Sequence, residues 1–510
     1  MSVGHKQRSR VLLALVLTAT MLLAPVGCGK DETPADSKGR ATSTTSGEGV
    51  STTTADTTTT TQSTATESTA EDAPDDTTAS TTATVESTTT TTTAKPTTTK
   101  QSTTTVITTK PATVLAQVPT ALSDTKIKMM TWQNVTAADT AKATAFRDAT
   151  GILVSYETVA KDEYQSNLTA KVMANNAPAM AAIINEWYPL PITRGLMQPI
   201  KNTGWDYSDP IYATAMMDQF AYKGERYGIA LKGSTQVHFQ VMFFNKKAMQ
   251  SFGVTKDPYE LWKDGQWNWD TCIEVAQKCT NAKQDKYGLT TMTFNYWMLS
   301  AGQDFVLSDA NGLVNNLQST QLLESWYHAW DMIYKHKVVP TYFIQQQKIF
   351  YNGSVAMLGA DSSYMRTGSD GVSDNMTDEW GVVPFPSPAG QRAVSACEGV
   401  VWGFPTKVSG NQLQAAMWYL RYYLDDGATA SQDVYPTEEC REVLDWMWNQ
   451  PIQSFNSYAT ITYSGKHSAN FMMTGLVDET YMRARVKAEL ESWYEDTQTS
   501  IDAIQAESVV

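Results

Sequence analysis

Aromatic side chains are the residues of this chain with the most to offer a ligand: 15 Trp and 23 Tyr among 510 residues. A sugar ring presents a face of C–H groups that buries against an indole or phenol, while polar neighbours bond its hydroxyls. Open α/β sheets bind ligands beyond the ends of their strands, so aromatics just after predicted strands are the candidates. Trp132, Trp187, Tyr364 and Trp402 occupy such places. Beside them stand Asn134, Glu186, Asp361 and Glu398; a carboxylate accepts two hydroxyl hydrogens at once, which suits a sugar diol. Each has a plainer reading: an indole packs a core, and a carboxylate caps a helix or sits solvated. Trp326 and Trp330, four apart, read as helix core, and Trp267 and Trp269 as packing.

Catalytic spacings are missing. There is no HExxH, no GxSxG, no Walker loop and no GxGxxG after a strand. Only five His occur. Carboxylates are plentiful enough to supply a glycosidase pair, so an enzyme stays open as the rival reading. The acidic loop from Ser369 to Glu379 lacks the spacing of an EF-hand, and neither a metal nor a cofactor is expected. With a net charge of −14 and no basic run, nucleic acid and anionic lipid surfaces are poor partners.

Composition divides the chain. Lys6, Arg8 and Arg10 precede an apolar run from Val11 to Ala24, the pattern of a secretory signal over residues 1–28. That run falls short of the roughly 20 residues of a membrane span. It leads to Pro25-Val26-Gly27-Cys28, which resembles a bacterial lipobox, so Cys28 is the expected lipidation point. Pro25 stands where the pattern has Leu, and a plain secreted protein is the alternative. From Thr42 to Thr109, 41 of 68 residues are Ser or Thr. Such a segment buries too little surface to offset its ordering entropy, so residues 29–118 are expected to form a disordered stalk. About 90 residues of flexible coil reach roughly 50 Å.

Four further Cys remain. Cys272 and Cys279 are seven apart in a predicted helix, about 10.5 Å along its axis and beyond the roughly 7 Å a disulfide allows. A bridge between Cys397 and Cys440 is neither supported nor excluded by spacing.

The elements that must hold these side chains follow from periodicity. Lys126–Thr131 reads as a strand delivering Trp132. Thr136-x-x-Asp139 caps a helix that Gly151 stops. Further strands are expected from Ile152 and at Ala181–Ile184, with a helix from Asp162 between them carrying Tyr164, Leu168 and Val172 on one face. Strand, helix, strand, helix, strand is the mark of a parallel sheet. Val237–Phe244 is a buried strand, and Thr271-x-x-Glu274 has the spacing of a capping box. Leu322 to Ile333 forms an aromatic helix. Asn411 opens a helix closed by Gly427, and the tail from Asp478 repeats Met482, Val486, Leu490 and Trp493.

Between residues 220 and 290 the order of motifs is specific. Arg226-Tyr227-Gly228-Ile229-Ala230 precedes a strand ending Phe243-Phe244-Asn245-Lys246. Lys256-Asp257-Pro258 and Trp267-Asn268-Trp269-Asp270 follow. Phe146 to Tyr156, Gly195 to Ile200 and Tyr351 to Met357 add matches. Together these resemble the extracellular solute-binding proteins that feed ABC importers, their sugar-binding branch in particular. Ala230, Phe244 and Asn268 depart from the usual Pro, Tyr and Thr, and Pro178-Ala179-Met180 replaces a Pro-Asp-Val/Ile.

The resemblance implies an α/β, two-lobe, type II periplasmic-binding-protein-like fold with hinge strands near 231–240 and 398–405. Residues 119–510 would form it, lobe I from about 124–235 and 405–455 and lobe II from about 240–400 and 460–510. It implies a monomer that captures a carbohydrate, an oligosaccharide above all, and delivers it to an ABC permease. Its place would be the outer face of a thick-walled bacterial cell, held to the membrane by the lipid. A ligand-sensing co-receptor of the same fold remains open beside the importer subunit.

Overall fold

The computed structural model describes residues 114–291, 295–340, 346–425, 435–454 and 483–507. The signal, Cys28, nearly all of the stalk, Gly427 and the start of the tail at 478–482 lie outside these. The chain divides into two units at residue 105, and everything below concerns the second. Its packing begins a few residues before the expected 119: Val114 is already buried.

The first strands match their periodicity. β1 (Lys126–Thr131) pairs in parallel with β2 (Leu153–Thr158) and with β3 (Met180–Ile184). Between β1 and β2 runs α1 (Ala137–Thr150). Thr136 Oγ1 accepts from Asp139 N at 3.1 Å, and Asp139 Oδ2 accepts from Thr136 N at 2.8 Å, which satisfies two orphan donors at the helix start. Gly151 ends α1 with φ of 77°. The positive φ favours glycine, and a Cβ there would also displace the Ser123 hydroxyl, 2.2 Å away. α2 (Tyr164–Met173) buries the expected Tyr164, Leu168 and Val172 and begins two residues later than Asp162 suggested. β3 is buried along its whole length and leads to α3 (Leu190–Thr193).

Two long strands join the halves. β4 (Val237–Asn245) lies beside β10 (Ser395–Pro405) in one sheet, with the order β2-β1-β3-β10-β4-β8-β5 among the described residues. Here β5 is Tyr287–Thr291, β8 is Val355–Asp361, and β9 (Trp380–Pro384) pairs with β4 off that path. β10 changes partners along its length. Cys397–Gly399 pairs with β4 and Val400–Gly403 with β3, while Ser395–Cys397 also meets β11 (Ile452–Ser454). β4 does likewise, since beyond Phe239 its partners are β8 and β9. These are the hinge strands of a two-lobe α/β fold. β6 (Val306–Asp309) and β7 (Gly312–Asn315) form a separate hairpin.

Helices cover the sheet. α4 (Trp269–Lys278) starts earlier than Thr271 and Glu274 predicted, because Asn268 is its cap. Asn268 Oδ1 accepts from Asp270 N and Thr271 N, and Thr271 Oγ1 accepts from Asn268 N. Trp269 fixes that start. Its indole is buried and donates to Pro386 O at 2.9 Å, so the first turn must include it. α5 (Asn295–Ser300) and α6 (Thr320–Tyr334) bury Tyr296, Trp297, Trp326 and Tyr327. α7 (Gly410–Tyr423) packs against α1 and β1, and α8 (Glu438–Met447) packs on β9.

The last helix, α9 (Arg483–Glu507), runs alongside both lobes. Val486 and Leu490 are buried with the core that holds α4–α6, whereas Ile501 is buried with the core that holds β1–β3. Leu313 N on the β6–β7 hairpin donates to Gln505 Oε1 at 3.1 Å. Cys272, Cys279, Cys397 and Cys440 are all free and buried; Cys397 and Cys440 form no bridge. No described helix is long and apolar enough to cross a membrane.

Candidate functional site

Side chains from both lobes and from the hinge strands gather around Glu398. Alternation on β10 and β4 sets the arrangement. Glu398 lies in register with His238, and one strand further Gln240 lies in register with Asp361. Register partners project from the same face, so His238, Gln240, Asp361 and Glu398 share one side of the sheet.

Glu398 is exposed, yet burial is the leading cause that raises its carboxyl from 4.5 to about 7. Solvent contact together with strong desolvation is what a carboxyl set in a recess would show. Further causes name the walls. Asp361 and Glu186 repel its charge and Lys161 relieves it. Glu186 follows β3 in the first lobe and Asp361 ends β8 in the second. The floor is therefore approached from both halves.

On the first-lobe side an aromatic group stands next to Glu186. Trp187 stacks on Tyr164 with centroids 4.5 Å apart and an interplanar angle of 15°. Trp132 meets both edge-on, at 5.5 Å from Trp187 and 6.0 Å from Tyr164. Tyr164 is anchored at its hydroxyl, which donates to Met130 O at 2.8 Å and accepts from Ala182 N at 2.9 Å. Trp187 is 7% exposed, while Trp132 is half-buried and keeps ring surface free. Beside them Lys161 Nζ sits 2.7 Å from Glu186 Oε1. Asn134 lies exposed two residues beyond Trp132.

The second-lobe wall is polar. Asp361 Oδ1 accepts from Ser363 N at 2.8 Å and stands 3.8 Å from His238 Nδ1; the carboxylate caps the turn that follows β8. Arg366 Nη2 donates to His238 Nδ1 at 3.1 Å. Burial lowers the imidazole's pKa below its usual value, Asp361 opposes that shift and Arg366 adds to it. A neutral ring accepting at Nδ1 carries its proton on Nε2. Tyr364 is half-buried and accepts at its hydroxyl from Gln347 Nε2 at 3.1 Å. Tyr296 is buried close enough to Asp361, Glu398 and Tyr364 for all three to raise its pKa after desolvation. Gln240 is wholly buried, and neither amide atom finds a partner among the described residues.

Trp402 is placed differently from the other candidates. It is 1% exposed, lies edge-on to Tyr423 at 6.2 Å and donates from Nε1 to Gln236 Oε1 at 2.6 Å. β10 turns its ring into the first-lobe core, leaving no face for a ligand. Sequence reasoning passed over Lys161, His238, Gln240, Tyr296, Gln347 and Arg366. The polar pair inside the apolar run, His238 and Gln240, was the one visible signal, since it interrupts a strand otherwise made for burial. No group of three His, Cys, Asp or Glu among the described residues is arranged to hold a metal ion.

Relatives agree with this architecture. An arabinooligosaccharide-binding protein of Halalkalibacterium halodurans is 24% identical over 245 residues, 45% of this chain and 51% of that one. The chain thus spans about half the length of that curated relative. Among solved structures, a cyclo/maltodextrin-binding protein complexed with maltotetraose superposes with a TM-score of 0.56 at 15% identity, over 73% of this chain and 96% of that one. An extracellular solute-binding protein from Staphylococcus aureus in complex with maltose gives 0.56 at 13% identity, over 75% and 99%. Identities this low speak for the fold alone. Residues 141–434, more than half of the 510, match the family of bacterial extracellular solute-binding proteins, and the chain belongs to that family.

Proposed function

We propose that this protein captures an oligosaccharide between its lobes at the cell surface and hands it to the permease of an ABC importer. The observation that carries the reading is Glu398 on a hinge strand, on the same sheet face as Asp361 of one lobe and under the charge of Glu186 and Lys161 from the other. A ligand at that point would lie between groups carried by both lobes. It closes them to the extent that it binds the closed state better than the open one. Trp132, with Trp187 and Tyr164 behind it, offers a ring face to the sugar, and Glu398, Asp361 and Glu186 accept from its hydroxyls. Tyr364, Gln347 and Asn134 complete the polar rim. A lipid on Cys28 and a stalk would set the cleft clear of the membrane.

Members and relatives of this family are binding proteins rather than enzymes. One observation favours a second reading: a carboxyl raised to about 7 next to Asp361 is also what a sugar-cleaving acid needs. A single experiment separates the two. The full-length protein is titrated with neutral oligosaccharides while Trp fluorescence, melting temperature and product release are followed. Saturable binding that raises the melting temperature without product supports capture. Product sinks it in favour of hydrolysis, and silence toward every saccharide withdraws the carbohydrate assignment.

A further inference from the structure

The β6–β7 hairpin starts from one lobe and ends against the other. Its base is fastened in the second lobe, where Gln303 draws the two ends together. Gln303 Nε2 donates to Gln321 Oε1 at 2.9 Å, and its Oε1 accepts from Asn316 Nδ2 at 3.1 Å and from Ser319 Oγ at 3.0 Å. Phe305 and Leu317 are buried there with α4–α6, whereas Val306 and Leu313 are buried in the core that holds β1–β3. Ser308 Oγ lies 3.1 Å from both Tyr188 Oη and Ala221 O, and Tyr188 Oη donates to Ala221 O. Two hydroxyls and a carbonyl thus close a triangle in which Ser308 is the second lobe's member. Gly312, at φ of 127°, fits tightly beside it. A Cβ there would lie 2.1 Å from Gln505 Oε1 of α9 and 3.7 Å from Tyr222 Cε2. α9 backs the hairpin further, with Tyr494 O accepting from Asn315 Nδ2 at 2.9 Å.

Tyr188 comes two residues after Glu186, whose charge reaches Glu398 together with those of Lys161 and Asp361. The hairpin therefore grips the first lobe beside the segment that carries Glu186 and Trp187. We propose that the hairpin is a clasp between the lobes, that it holds them at the angle which gathers Glu186 and Asp361 around Glu398, and that Ser308 is its positioning residue. A contact made at one lobe angle and lost at another favours the first, and a ligand that needs that angle binds more tightly for it. The effect on affinity rests on the carbohydrate reading above; the effect on the lobe angle does not.

The test uses the full-length chain with Cys28→Ser and two spin labels, at Ala145→Cys in the first lobe and Lys283→Cys in the second. Both positions are exposed, and the four described native thiols are buried. The distance between the labels is measured without ligand by pulsed electron resonance, with Ser308 intact, as Ser308→Ala and as Ser308→Thr. Ser308→Ala leaves the bond from Tyr188 to Ala221 in place and should shift the distribution to longer separations, and Ser308→Thr, which keeps the hydroxyl, should restore it. Titration of the unlabelled chains with neutral oligosaccharides, followed by Trp fluorescence, should show Ser308→Ala binding about three- to tenfold more weakly, the usual worth of one hydrogen bond. A contact that only stabilises the fold would lower the melting temperature and move neither the distance nor the affinity, and that result overturns the proposal. Shorter separations or tighter binding in Ser308→Ala overturn it too, because the hairpin would then prop the lobes apart. If the wild type binds no saccharide, the carbohydrate reading falls, and the distance measurement still decides whether the clasp exists.

Discussion

Replacing Glu398 by Gln should stabilise the protein, and only at the alkaline end of its range. The folded state raises this carboxyl from 4.5 to about 7 through burial first, then repulsion from Asp361 and Glu186. A carboxyl held above its unfolded value favours folding while protonated, and that advantage is lost as pH rises from the unfolded to the folded pKa. The window is therefore about 4.5 to 7. At about 1.4 kcal/mol per pH unit the loss is bounded near 3 kcal/mol. Glu398 touches solvent, and screening reduces that to about 1–2 kcal/mol. Glutamine keeps the shape and removes the titration. At about pH 8 the variant should melt a few degrees higher than the wild type, by the usual 2–4 °C per kcal/mol. At about pH 4 the two should coincide. Thermal melts by circular dichroism at both pH values provide the assay. An equal difference at both ends, or a less stable variant at pH 8, would refute the claim that a like-charged cleft floor strains this carboxyl.

Three further outcomes are expected. Trp187→Ala removes a nearly buried indole stacked on Tyr164 and should cost about 3–5 kcal/mol in denaturant melts, whereas Trp187→Phe should retain much of that. Gly288→Ala places a Cβ 2.1 Å from Ala276 O, against the backbone of α4. With no flexible atom to yield, the loss should reach about 3 kcal/mol or more and show as poor recovery of folded protein. Asn268→Ala strips the cap of α4 and should lower stability by about 1 kcal/mol, while Asn268→Asp should be nearly neutral by the same melt.

Local rules made much of the fold readable. Thr136 and Asp139 carry their cap on the page, Gly151 stops α1, and the spacing of Tyr164, Leu168 and Val172 names the buried face of α2. Thr271 and Glu274 misled, because spacing gives a box several registers and Trp269's need for burial chose the earlier one. The candidate site was less legible. Strand ends pointed to Trp132, Trp187, Glu186, Asp361 and Glu398, but ring orientation depends on packing against distant residues. Trp402 illustrates this, turned inward to Gln236 although it lies on the same hinge strand as Glu398. The pairings of Lys161 with Glu186 and of Arg366 with His238 span 25 and 128 positions, separations at which a single sequence has no periodicity to read.

The position of α9 bears on how this chain reaches its working place. Val486 and Leu490 pack into one hydrophobic core and Ile501 into the other, so the last helix contributes to both. Domains normally fold from the N-terminal side as they are made. A chain that crosses a membrane N-terminus first would here remain unfinished until residues as late as Ile501 emerge on the far side. For such a chain, delayed closure would keep the polypeptide threadable, and the docking of the one helix would complete both cores.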